Sequence, residues 1–163
     1  NTKRWLEKVD TDYLLCAHTH LPGEFSYMGK HYFNSGCVGI SIHDAGYAQC
    51  MTLELVETDS GPAWKTEFMK VPYDNRRVVD DIVSCGLLDR APWFINGNIQ
   101  TLLTGVDHAA ELCALAAKLS EKAGEKNVWP LIGESYFAQA AEVLEIPDYR
   151  RRQGDGQIQK LDA

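Results

Sequence analysis

Two histidines one residue apart, His18 and His20, stand at the end of the apolar run Tyr13-Leu14-Leu15-Cys16-Ala17. The length and composition of that run predict a buried strand, and Leu21-Pro22-Gly23 behind the histidines predicts a turn. Residues two apart in an extended chain project to the same side. On that geometry His18 and His20 offer their imidazoles to one place at a strand end. Neutral imidazole is the commonest protein ligand for transition metals. The His-x-His pattern is also found in pairs of ordinary surface or core histidines, so spacing alone leaves both readings open. Downstream, a strand pair across residues 25–33, folded about Met28-Gly29-Lys30, leads into the small-residue turn Asn34-Ser35-Gly36-Cys37-Val38-Gly39.

Taken together, Ala17-His18-Thr19-His20, the short hairpin and Asn34-Ser35-Gly36-Cys37-Val38-Gly39 resemble the C-terminal signature of the calcineurin-like metallophosphoesterases, which reads G-H-T-H, hairpin, N-P-G-S-V-G. The small bacterial and archaeal phosphodiesterase branch is the nearest in pattern. Ala17 stands where that family has Gly, and Ser35 and Cys37 stand where it has Pro and Ser. The resemblance runs on through residues 48–55 and Val71-Pro72-Tyr73-Asp74, covering about the first ninety residues. It implies an α+β fold, the C-terminal half of a four-layer α/β/β/α sandwich with a helical extension. It also implies that His18 ligates one metal and His20 the other, within a pair of divalent ions (Mn, Fe, Zn, Ni or Co) acting on a phosphate-ester substrate. The family's other ligand motifs, D-x-H, G-D-x-x-D, G-N-H-D/E and a lone His, belong to an N-terminal half. Neither D-x-H nor G-N-H occurs here. The expectation is therefore an enzyme portion that is inactive alone.

The remaining histidines suit other roles. His31 alternates with Tyr32 and Phe33 in a strand and reads as structural. His43-Asp44 reads as a polar turn, with reach to a site rim as the alternative. His108 reads as a solvated side chain opposite the apolar stripe of a long helix. Five cysteines without a C-x-x-C pair read as free thiols, four of them in apolar segments and so buried, in a reducing cytoplasm.

The elements that must position the histidines follow in order. Residues 1–9 carry Trp5, Leu6 and Val9 at helical spacing, the end of a helix, so the chain reads as beginning within a domain. Residues 49–56 and 63–71 alternate polar and apolar and predict an antiparallel hairpin across Asp59-Ser60-Gly61-Pro62. Asp74 suits an N-cap, Val78, Val79, Ile82 and Val83 an apolar face, and Gly86 the C′ position. Residues 87–97 read as a connection. Ile99, Leu102, Leu103, Val106, Ala110, Cys113 and Ala117 mark one long helix ending near Gly124, residues 127–130 break it, and residues 134–144 form another, closed by Pro147. The expected divisions are residues 1–91, 92–148 and a loose tail at 149–163, in which Arg150-Arg151-Arg152 reads as a solvated charge run rather than a phosphate site.

With 163 residues, 45% hydrophobic and 24% charged, the composition is that of a soluble globular protein. A net charge of −7 gives no basis for binding nucleic acid or anionic membrane. No apolar run approaches the roughly eighteen residues of a membrane span, and no signal peptide opens the chain, which points to the cytoplasm. A second reading is a non-catalytic interaction module, with helices bearing Trp93, Phe94, Trp129, Tyr136 and Phe137 for partner binding or homo-oligomerisation. A structural zinc protein ranks last, since such sites take four protein ligands and only two are arranged here.

Overall fold

The hairpin and cap signals all find their elements in the computed structural model of the protein, which describes residues 2–125 and 130–150. Residues 127–129 of the helix break expected at 127–130, Trp129 among them, and the tail residues 151–163 with Arg151 and Arg152 lie outside the described residues. The chain divides into two compact units between Tyr73 and Asp74.

In the first unit, helix α1 (Thr2–Leu6) precedes a three-stranded sheet of β1 (Tyr13–Cys16), β2 (Gly23–Tyr27) and β3 (Lys30–Asn34) in the order β1-β3-β2. Strands β2 and β3 are antiparallel, and β1 runs parallel to β3 with Tyr13 opposite His31 and Cys16 opposite Asn34. The β2–β3 turn uses Met28 and Gly29 at φ 53° and 75°. Two left-handed residues in succession match the twist of the flanking strands. Leu6 is buried, and the Lys30 ammonium donates to the carbonyls of Leu6 and Val9 just beyond α1. The expectation of a buried β1 is corrected: Leu15 is 59% exposed and Tyr13, Leu14 and Cys16 are half-buried. As an edge strand, β1 has a sheet partner on one side only.

Strands β4 (Tyr47–Thr58) and β5 (Gly61–Pro72) form the predicted antiparallel hairpin, in register from Tyr47 opposite Pro72 to Thr58 opposite Gly61. Period-two alternation puts Gln49, Met51, Leu53 and Leu55 on one face with Trp64 and Phe68. The Trp64 ring meets Tyr13 of β1 edge-on, with centroids 6.2 Å apart.

The second unit is helical: α2 (Asn75–Ser84), α3 (Leu87–Arg90), α4 (Pro92–Thr104), α5 (His108–Lys122) and α6 (Glu134–Val143). Asp74 caps α2 by accepting from the amides of Arg76 and Arg77, and Gly86 follows it at φ 83°. Residues 87–97 are not a connection. They hold α3 and the first half of α4, which starts with Pro92 in the first turn, where a missing N–H costs nothing. The single long helix is also corrected, because it is two helices. Gly105 ends α4 in the left-handed region at φ 72°, and Asp107 starts α5 by accepting from the amide of Ala110. Val106, placed in the apolar stripe by its spacing, lies in this break and is exposed.

The apolar face expected in α5 is corrected: Ala110 is exposed and Cys113 and Ala117 are half-buried, while the buried face carries Leu112, Ala116 and Ser120. Leu112, Ala116, Ile132, Phe137, Ala140, Ala141 and Ile146 form one core, with Trp93, Cys113 and Leu115 packed against it. Tyr149 and Arg150, expected in a loose tail, are ordered. Tyr149 is 1% exposed, its amide donates to Asn96 Oδ1 and its hydroxyl to Gln100 Oε1. Arg150 grips Asp148 through two bonds of 2.8 Å and lies over the Trp93 ring. Among the described residues, a mixed α+β architecture with two small sheets and six helices thus agrees with the fold class read from the sequence at its coarse level.

Candidate functional site

Strand β1 ends at Cys16, so His18 and His20 are not extended-strand residues. Both have left-handed backbones, at φ 79° and 58°. This corrects the geometric argument from strand alternation, and the two rings are aimed by a turn. A non-glycine residue at positive φ is uncommon, and two of them flanking Thr19 make a strained segment that its surroundings must hold. Ala17 is not among the left-handed residues, so the alanine that stands for glycine in the resemblance meets no backbone penalty.

The holding groups come from β3 and the loop after it. Asn34, the last residue of β3, is 2% exposed. Its Nδ2 donates to the Ala17 carbonyl at 3.3 Å and to Thr19 Oγ1 at 2.9 Å, while its Oδ1 accepts from the Gly36 amide at 3.0 Å. Thr19 Oγ1 also accepts from the Leu21 amide. Residues on both sides of His18 are thereby fixed to the strand end.

His20 is half-buried, and its Nδ1 lies 3.0 Å from the carbonyl oxygen of Ile40. A carbonyl only accepts, so the neutral ring carries its proton on Nδ1. That leaves the Nε2 lone pair for another partner, the arrangement in which a backbone carbonyl orients a metal-ligating histidine. His18 is exposed.

The loop that presents Ile40 is pinned in turn. Ser41 Oγ shares its one hydrogen between the carbonyls of Cys37 and Tyr47, and the Ile40 amide points at Cys37 Sγ at 3.2 Å. Gln49, 2% exposed, accepts from the Cys37 amide through Oε1 and donates to Asp44 Oδ2 through Nε2 at 2.6 Å. Asp44 also pairs with Lys70, whose ammonium, together with the Gln49 amide, lowers the carboxyl below its ordinary value. The Tyr73 hydroxyl donates to the Gly39 carbonyl, and burial first and then the nearby Cys37 push that phenol up.

The other histidines take no share in this arrangement. His31 forms a ring cluster with Tyr13 and Phe33 and bonds Ser26 Oγ at 2.8 Å, in line with the structural role expected of it. His43 is exposed at φ 67°, while its neighbour Asp44 serves the loop scaffold. His108 opens α5, 3.7 Å from Glu111, and is not in the middle of a longer helix. All five cysteines are free. None is fully buried and Cys85 is exposed, against the expectation of buried thiols.

No protein-family model, curated protein or solved structure matches this chain.

Among the described residues no group of three or more His, Cys, Asp or Glu side chains is placed to hold a metal ion. The donor chemistry on hand is two imidazoles, one with its tautomer set by a backbone carbonyl. That fits a share of a metal centre and not a whole one. His18 and His20 stood out in the sequence, whereas the support that Asn34 and Gln49 give to their surroundings did not. Asn34 lay in plain view before Ser35-Gly36, in a stretch where a short amide side chain commonly bonds a backbone amide two residues on. Gln49 looked like the polar half of an alternating strand.

Proposed function

We propose that this chain supplies His18 and His20 as two ligands of a divalent-metal centre in a metallophosphoesterase, with residues Asn1–Tyr73 forming part of a four-layer α/β/β/α sandwich. The observation that carries the reading is the bond between His20 Nδ1 and Ile40. It leaves Nε2 as the one lone pair of a neutral ring held in a strained turn. A pair of divalent ions bound there would lower the pKa of a water and neutralise charge on a phosphoryl group. What this chain contributes is orientation. The Asn34 amide fixes the backbone around His18, and Ile40 fixes the ring of His20.

Two neutral ligands do not hold two ions at a working separation, and carboxylate ligands must come from elsewhere in the assembled enzyme. The helical unit has its own apolar core. No described helix is long and apolar enough to cross a membrane.

The test is hydrolysis of an aryl phosphodiester with added Mn. The chain alone is expected to give no turnover. A longer protein that joins this chain to carboxylate ligands is expected to turn over, and to lose at least about a hundredfold with His18→Ala or His20→Ala. Robust turnover by the chain alone, or full activity in both variants, contradicts the reading.

A further inference from the structure

Asn34 bonds residues on both sides of His18 and the start of the loop that leads to Ile40. Its Nδ2 reaches the Ala17 carbonyl and Thr19 Oγ1, residues that bracket His18. Its Oδ1 takes the Gly36 amide, at the start of the loop that carries Ile40 to His20. Asn34 itself is 2% exposed, so its amide depends on these three bonds in place of water, while Ala17 and Thr19 at the far end are exposed. A carboxylate of the same shape has no hydrogens to donate to the Ala17 carbonyl, and a leucine makes none of the bonds. The strained φ values at His18 and His20 need such a clamp, because each residue alone relaxes toward negative φ.

We propose that Asn34 is a positioning residue, whose amide locks the His18-Thr19-His20 turn in the left-handed form that presents its imidazoles to a divalent cation. The inference rests on the metal-ligand reading above, and the experiment separates the two. The full chain, labelled with nitrogen-15, is titrated with Co(II) alone while the histidine ring signals are followed by NMR, and the ring tautomers are first recorded without cation. Variants are Asn34→Leu, Thr19→Val and Thr19→Ser. Thr19 is exposed, so its substitution removes one bond of the clamp without opening the core.

Without cation, wild-type His20 is expected in the Nδ1–H form, and Asn34→Leu is expected to shift it toward the Nε2–H form of free imidazole. Co(II) affinity is expected to fall about 10–100-fold in Asn34→Leu and about tenfold in Thr19→Val, the range for a group that orients a ligand, and to return in Thr19→Ser, which restores the hydroxyl. If Asn34→Leu does not fold, the Thr19→Val and Thr19→Ser pair decides. Wild-type tautomer and affinity in Asn34→Leu and Thr19→Val overturn the role of Asn34. Should wild type bind no Co(II) at these histidines, the metal reading falls. The cation-free ring signals still decide the clamp, since unchanged tautomers in both variants overturn it.

Discussion

The carbonyl oxygen of Ile40 lies 3.0 Å from Nδ1 of His20, across twenty residues of sequence. The bond assigns different duties to the two ring nitrogens, one to the scaffold and one to a partner. An asparagine amide resembles the Nδ1 side of imidazole and has nothing at the Nε2 position. His20→Asn is therefore expected to keep the Ile40 bond and to stay within about 0.5 kcal/mol of wild type in chemical denaturation. His20→Ala is expected to lose about 1 kcal/mol, the worth of one net hydrogen bond. Both should abolish any cation response at residue 20. Equal stability for the two variants would mean that the Ile40 bond holds nothing.

Gly36 sits at φ 85°, and a Cβ built on it would lie 2.4 Å from Gln49 Oε1 and 2.7 Å from Gln49 Cβ. Gly36→Ala thus combines a left-handed alanine with a clash against a buried side chain. The expected loss is about 3 kcal/mol in urea denaturation, and a loss under about 1 kcal/mol would mean that Gln49 does not fill this space.

In the helical unit, Asp148 is held down to about 2 from an ordinary 3.8, chiefly by the Arg150 guanidinium and further by its backbone and Asn96 bonds. A carboxyl depressed on folding stabilises the fold above its unfolded pKa and stops doing so as pH falls through the folded one. The Asp148–Arg150 contribution is therefore complete above about pH 4 and lost toward pH 2. Tyr149 and the Trp93 ring under Arg150 report on this segment. Near-ultraviolet circular dichroism should show a transition in that window that is missing in Asp148→Asn. An identical acid transition in the variant would assign it to other carboxyls.

Much of the fold was readable where a local rule acts on consecutive residues. Met28-Gly29 gave its turn, the alternation at 49–56 and 63–71 gave β4 and β5, and Asp74 with Gly86 gave both ends of α2. The break between α4 and α5 was not read, because the apolar spacing was carried from Ile99 and Leu102 through Val106 and Ala110 to Cys113 and Ala117 as if on one helix, whereas Val106 and Ala110 are exposed. The signal lay in Gly105 and Asp107, a helix end and a helix start two residues apart. The site divides in the same way. The spacing of His18 and His20 is local and visible, while the bonds of Asn34 to Ala17 and Thr19 and of Gln49 to Cys37 join residues 12 to 17 positions apart and leave no periodic trace.

Leu112 is fully buried in α5, close enough to Gly97 of α4 that a Cβ there would stand 3.0 Å from its Cδ2. Leu112→Ala should destabilise the helical unit by about 2–5 kcal/mol, measured by denaturant titration. Because Leu112 is buried within one chain, the wild-type oligomeric state should not depend on it. A Leu112→Ala variant that changes sedimentation while keeping its stability would place Leu112 in an interface and not in this core.

His18 and His20 are the proposed metal ligands, and the direct measurement is isothermal titration of the chain with Zn(II). Wild type is expected to bind one ion weakly, and His18→Ala and His20→Ala are each expected to weaken binding at least tenfold, about 1.4 kcal/mol. Binding that is unchanged in both variants, or no binding by wild type at any concentration that keeps the protein soluble, would contradict it.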